Sequence, residues 1–181
     1  HAERVARFAV QLFDSARSLG IIRLPEAWRE ALGHAAWLQE TGLAISYEKM
    51  AEHSAYIVAN STLLGFTEEE TQQIAAIIFR SRYPKKEPLA CLSLKAEMWR
   101  ASAVAGVLLK VAESLDKGHR GVVDGFSLER ARKGVAMHVR AFSSSPIERE
   151  SLRRVARNLE KTTGESFAIT WQEGAGPEAA A

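Results

Sequence analysis

A chain of 181 residues with 46% hydrophobic and 25% charged content is long enough to bury one good core, and its balance is that of an ordinary globular domain. The apolar run from Ala101 to Leu109 falls far short of the ~20 residues that a bilayer span needs, so no membrane partner is expected. A single cysteine, Cys91, excludes an internal disulfide framework and fits a reducing compartment, which makes the cytoplasm the expected location.

No basic-then-apolar leader precedes the first amphipathic pattern, and His1 stands where a complete chain would have Met. The sequence is therefore read as a piece of a longer protein. The net charge of +2 is unevenly spread: residues 1–60 carry six Lys/Arg against seven Asp/Glu, and residues 61–181 carry eighteen against fifteen. Basic clusters at Arg80, Arg82, Lys85, Lys86 and at Arg149, Arg153, Arg154, Arg157 suit a polyanion, although a solvated face is the ordinary use of such clusters.

Val5, Phe8, Ala9, Leu12, Phe13, Ala16 and Leu19 recur at helical spacing until Gly20 stops them, which predicts an amphipathic first helix. Pro25 suits the first turn of a second helix through Trp28, Leu32, Ala35, Ala36 and Leu38, with Gly42 as its expected C-terminal cap. A third helix is expected from near Tyr47, carrying Met50, His53, Ser54, Ile57 and Val58, until Asn60-Ser61 break it. Thr67 and Glu70 form a capping box before a fourth helix through Ile74, Ile77 and Ile78. Tyr83 to Pro88 reads as a loop, because proline removes backbone donors and restricts the residue before it. The longest helical pattern spans about Leu92 to Leu115, and its nearly unbroken apolar middle places it in the core.

From Gly118 the pattern shortens. Val122-Val123-Phe126 and Gly134 to Phe142 read as strands, Ser145-Pro146 opens a helix through Leu152, Val155 and Leu159, and Ser166 to Trp171 is a last strand. The predicted fold is mainly α: a helical bundle at 1–120, a small β-β-α-β lobe at 121–175 and a flexible tail at 176–181.

The chemistry concentrates between Trp37 and Phe66, where a helix end, a short loop and a second helix place Gln39, Glu40 and His53 between packed helices. A hydrolytic metal site needs several imidazoles and carboxylates converging on the ion, and Gln39 and Met50 are poor ligands for magnesium or manganese. Gln39, Glu40 and His53 are therefore a poor ligand set for a catalytic divalent metal. No Gly-x-Ser-x-Gly elbow supports a serine hydrolase, and Cys91 has no acid–base partner. Trp28, Trp37, Trp99 and Trp171 read as core rather than as a base-stacking platform, so nucleic acid is not an expected partner. His34 and His138 read as structural, and His119 sits beside Lys117 and Arg120 where cations favour a helix C-terminus.

The blocks His1-Ala-Glu-Arg-Val, Leu12-Phe13-Asp14, Ala35-Ala36-Trp37-Leu38-Gln39-Glu40-Thr41-Gly42, His53-Ser54-Ala55-Tyr56-Ile57-Val58-Ala59-Asn60-Ser61, Leu64-Gly65-Phe66 and Ala112-Glu113-Ser114-Leu115-Asp116-Lys117-Gly118-His119 stand in a telling order. In that order they resemble the C-terminal part of the exopolyphosphatase/guanosine pentaphosphate phosphatase (Ppx/GppA) family. The resemblance implies a helical architecture like that of HD phosphohydrolases, attached downstream of actin-like domains that hold the catalytic carboxylate, the phosphate loops and magnesium. It implies polyphosphate or guanosine pentaphosphate as substrate, a homodimer, and a supporting rather than catalytic role for this region, with no cofactor of its own.

The departures are specific. Gln39-Glu40 replaces the His-Asp pair of metal-binding relatives, Met50-Ala51-Glu52 stands where many members carry histidine, and Phe79-Arg80-Ser81-Arg82 replaces an arginine-tyrosine-histidine-arginine run. Of the ligand positions that the resemblance implies, His1, His53 and Asp116 are kept, so the pocket of His1, Gln39, Glu40, His53 and Asp116 is expected to be degenerate and to hold no metal, with His53 and Asp116 hydrogen-bonding in it instead. The expected anion-facing surface is Arg80, Arg82, Lys85, Lys86, Lys117, His119 and Arg120, with no catalytic residue in this chain. The alternatives are a metal-dependent phosphohydrolase working through His1, Glu40, His53 and Asp116, or a non-catalytic dimerisation module.

Overall fold

The computed structural model describes residues 1–174, and the expected tail at 176–181 lies outside the described residues. Six helices, α1 (Ala2–Ser18), α2 (Ala27–Leu38), α3 (Met50–Ala59), α4 (Glu68–Arg82), α5 (Ala96–Ser114) and α6 (Pro146–Thr163), are joined by three strands, β1 (Val123–Arg130), β2 (Val135–Ala141) and β3 (Phe167–Glu173). This is the mainly helical chain with a trailing β-β-α-β lobe that the periodicity predicted.

Each helix forms for a local reason. Helix α1 buries Val5, Phe8, Ala9, Leu12, Phe13 and Ala16 on one stripe and ends before Gly20, whose φ of +67° suits a residue without Cβ. In α4 the Thr67 hydroxyl accepts from Glu70 N–H at 3.2 Å while the Glu70 carboxylate accepts from Thr67 N–H at 2.7 Å, the reciprocal cap expected from the spacing. The residues from Thr71 to Phe79 are all buried, so α4 is the most enclosed helix, with α5 against it. Gly106 makes that approach close: a Cβ there would lie 2.9 Å from the Arg80 and Ser81 backbone.

Three expectations are corrected. Gly42 is not the C-terminal cap of α2, which ends at Leu38. It lies in a short 3-10 turn, Thr41–Ala44, without positive φ. A side chain at 42 would collide with the Met50 carbonyl oxygen and stand 2.5 Å from Ser54 N, so closeness rather than backbone hand selects glycine. The third helix begins at Met50 and not at Tyr47, which is 80% exposed. Trp37 is also not core. It is 54% exposed on the outer face of α2, whereas Trp28 is buried, because the apolar stripe of α2 runs through Ala31, Leu32, Ala35 and Ala36.

In the sheet β2 is central, antiparallel to β1 and parallel to β3, with Phe126 opposite Val139 and Val135 opposite Phe167. Val135, Met137, Val139 and Ala141 alternate inward, as a half-covered strand requires, and Leu152, Val155 and Leu159 of α6 are buried with them. The lobe is tied to the bundle: Phe8 packs on Phe126, Gln11 donates to the Phe126 carbonyl at 2.7 Å, and the buried residues of both regions form one cluster. Among the described residues no helix is long and apolar enough to cross a membrane.

Candidate functional site

Asp116 is fully buried just past the end of α5, where the chain turns back toward the sheet. Its Oδ2 accepts from His1 Nδ1 and Arg4 Nε, both at 2.9 Å, and its Oδ1 accepts from Gly121 N–H at 2.8 Å. One carboxylate therefore ties the start of α1 to the end of α5. A buried carboxylate needs such a counter-ion and donors, and Arg4 supplies the charge. The turn that wraps it requires two residues with left-handed backbone, His119 at φ +56° and Gly121 at φ +66°. A Cβ at 121 would meet the Arg4 guanidinium at 3.3 Å.

With Nδ1–H given to Asp116, His1 turns Nε2 toward Glu40, whose Oε1 stands 3.7 Å away, too far for a hydrogen bond. That Nε2 is buried and has no hydrogen-bond partner among the described residues. His119 stacks on His1 with ring centroids 3.7 Å apart and planes 5° from parallel. His1, Glu40 and His119 thus offer one ligand atom each within 4.8 Å of one another.

The expected pocket is accordingly redistributed. Asp116 does hydrogen-bond in the pocket, but its partners are His1, Arg4 and Gly121 and not His53. His53 lies on α3 against the 3-10 turn, where its Cβ would be 2.8 Å from a Cβ at Gly42. The Gln39 amide donates weakly to the Ala36 carbonyl at 3.4 Å, inside its own helix end. The Gln39 backbone carbonyl accepts from Ser54 Oγ at 2.7 Å, and Ser54 Oγ in turn accepts from Gly42 N–H at 2.8 Å, so buried Ser54 pins the α2–α3 junction.

A second feature is a groove of about 610 Å³ between α4, α5 and α6, lined by Arg82, Lys110, Lys117 and Arg154 together with Ile147, Glu150, Ser151 and Val155. Behind it, Glu113 accepts from Lys110 at 2.6 Å and from Lys117 at 2.8 Å. Burial works against its ionised form, yet Lys110 and Lys117 together hold its pKa down at about 2. The Lys110 pKa is lowered too, but for an amine that disfavours the charged form: burial lowers it, and Glu113 only partly offsets this while Arg82 and Lys117 repel it. The two shifts are consistent, because Glu113 has two cations and Lys110 has one anion shared with a rival. The cluster is short of negative charge, which is what an anion in the groove would supply.

Of the seven residues expected to face an anion, Arg82 and Lys117 line this groove. Arg80 is half-buried with its guanidinium 4.7 Å over the Trp99 ring. Lys86 is spent on Glu52 at 2.6 Å and on the Tyr83 ring, and Lys85 is exposed on the loop. His119 belongs to the His1 stack, and Arg120 is exposed beside it. Sequence reasoning passed over Arg4, Lys110 and Glu113. Lys110 had a signal, as the one charged residue in the run Ala101–Ala112.

Comparison with known proteins places these observations. The model of the family described as Ppx/GppA phosphatase, domain III, matches residues 1–157. A guanosine-5'-triphosphate,3'-diphosphate pyrophosphatase of Aeromonas hydrophila is 38% identical over 97 residues, 49% of this chain and 18% of that protein. The protein of the same name from Aeromonas salmonicida is 36% identical over 89 residues, 45% of this chain and 16% of that protein. The matched stretch is under a fifth of the length of either relative. With a match over most of its length, the chain belongs to the Ppx/GppA phosphatase family, as its domain III.

Proposed function

We propose that this chain is the C-terminal part of an exopolyphosphatase or guanosine pentaphosphate phosphatase, and that it helps to hold an anionic substrate cleaved elsewhere in the protein. Phosphoanhydride hydrolysis takes place in upstream actin-like domains, where magnesium supplies Lewis acidity, and the HD-like bundle described here is not catalytic by itself. The observation that carries the reading is the groove in which Arg82, Lys110, Lys117 and Arg154 converge with too few carboxylates to balance them. A chain of phosphates offers charge without bases to read, so lysine and arginine cations suffice for retention. Family membership and the names of the Aeromonas relatives favour polyphosphate or the guanosine alarmone over other polyanions. Of the sequence-expected anion-facing set, Arg82 and Lys117 carry this role in the groove; Arg80, Lys85, Lys86, His119 and Arg120 are assigned at most to the approach to it.

The test is retention of polyphosphate on the chain as salt is raised. Binding at low ionic strength that falls with salt, and falls less steeply when Arg154 or Lys117 is replaced by Ala, supports the reading. No binding even at the lowest salt removes it.

Homodimerisation and a cytoplasmic location belong to the same proposal. Trp37, Leu43, Ile45, Tyr47 and Tyr56, all exposed from the end of α2 through α3, supply apolar surface suited to a second copy or to the upstream domains. Sedimentation of the chain reads the first possibility directly, and a monomer at every concentration tried ends it.

A further inference from the structure

We propose that His1, Glu40 and His119 form a divalent transition-metal site, with Asp116 as the residue that orients His1. It does not depend on the anion-holding role of the groove.

Three observations meet here. Donation of Nδ1–H to the ionised Asp116 fixes the His1 tautomer, so that Nε2 keeps its lone pair. That arrangement, carboxylate to imidazole to open nitrogen, is the one that outer carboxylates impose on metal-bound histidine, where it also raises the basicity of the donor atom. Second, Nε2 is buried and unpartnered in a side chain only 10% exposed, and a lone pair lost to water without a replacement is costly. Third, Glu40 and His119 bring a carboxylate oxygen and a second imidazole to the same side, every donor within 4.8 Å of the others.

The dimensions suit a small ion. With bonds of about 2.1 Å, a tetrahedral zinc ion holds two donors about 3.4 Å apart. His1 Nε2 and Glu40 Oε1 are already at 3.7 Å. His119 is exposed, so its ring is free to turn out of the parallel stack and aim a nitrogen at the same point. Two imidazoles and one carboxylate select zinc or manganese over magnesium, which prefers an all-oxygen shell. Asp116 is not a ligand, since both its oxygens are taken by His1, Arg4 and Gly121. His53, the histidine that the sequence pattern favoured, plays no part.

The experiment is a calorimetric titration of the full chain with zinc and, separately, with manganese. At least one residue precedes His1, so that a free terminal amine cannot chelate the metal by itself. One equivalent is expected to bind, with the His1 and His119 ring signals moving together in the NMR spectrum and the melting temperature rising with metal concentration. His119→Gly, which relieves a left-handed backbone, and Glu40→Gln are each expected to weaken binding at least tenfold. Asp116→Asn is expected to weaken it about 10- to 100-fold, and His53→Ala to leave it unchanged. No stoichiometric binding of either metal, or binding that survives both His119→Gly and Glu40→Gln, overturns the site. Loss in His53→Ala with retention in His119→Gly overturns it equally.

Discussion

Lys110 and Glu113 form an ion pair 2.6 Å long on one turn of α5, with side chains only 17% and 13% exposed. Two charges taken this far from water stabilise the fold only as a pair, and Lys117 at 2.8 Å makes Glu113 the shared anion of two cations. Its folded pKa of about 2 lies below the ordinary glutamate value of 4.5. The depressed value means that its contribution is fully present above pH 4.5 and is lost as the pH falls toward 2.

The first prediction follows from that sign. Unfolding by urea at a series of pH values is expected to show a loss on the order of 3 kcal/mol from this group between about pH 4.5 and 2. Glu113→Gln is expected to lower stability by about 3–5 kcal/mol at neutral pH, because it leaves Lys110 buried and uncompensated. The same variant should have a flatter acid limb. A double Glu113→Gln/Lys110→Met variant should recover much of the neutral-pH loss, and failure to recover it would separate the two side chains energetically.

The groove makes a second prediction. Arg154 is held only by Glu150, at 2.8 Å and in a largely exposed pair, so Arg154→Ala is expected to change stability by less than about 1 kcal/mol. Polyphosphate affinity should nonetheless fall at low salt, with a salt slope reduced by about one. Fluorescence anisotropy of labelled polyphosphate measures both. The matched change at Lys86, which lines no part of the groove and is paired with Glu52, should leave binding nearly as it was.

Much of this architecture was legible because periodicity records burial. The apolar stripe of α1, the reciprocal Thr67–Glu70 cap and the inward alternation of Val135, Met137, Val139 and Ala141 are local patterns with local causes. The pocket was less legible because its composition is decided across the chain. Asp116 meets His1 and Arg4 over more than a hundred residues, and nothing in the spacing of α3 reveals that His119, through a left-handed turn, joins the His1 cluster in place of His53. Trp37 misled for the opposite reason: its type suggests core, but its phase on α2 turns it outward.

Glu148 supplies a third prediction. It lies in the first turn of α6, is 3% exposed, and its Oε1 accepts from Gly118 N–H at 2.8 Å, so it joins the sheet lobe to the turn that holds Asp116. Glu148→Gln keeps the acceptor oxygen and shape and is expected to cost about 1 kcal/mol. Glu148→Ala leaves the half-buried Gly118 N–H unpaired and should cost about 1–3 kcal/mol. Amide exchange at Gly118 should accelerate in Glu148→Ala and hardly at all in Glu148→Gln.

The α2–α3 junction gives the fourth. Ser54 Oγ is at once a donor to the Gln39 carbonyl and an acceptor for Gly42 N–H, and all three groups are buried. Ser54→Ala deletes both bonds without changing the packed volume much, so about 1–3 kcal/mol is expected. Gly42→Ala is expected to be worse, because the added methyl collides with Met50 and Ser54 backbone rather than with a side chain that can turn aside. The helix and turn must separate to admit it, and that separation also breaks the Ser54 bonds. Combining the two substitutions should therefore cost less than the sum of the single effects, since the second removes bonds the first has already lost. Chemical denaturation of the two single variants and the double variant closes that cycle, and strict additivity would show that the turn accommodates the methyl without moving away from α3.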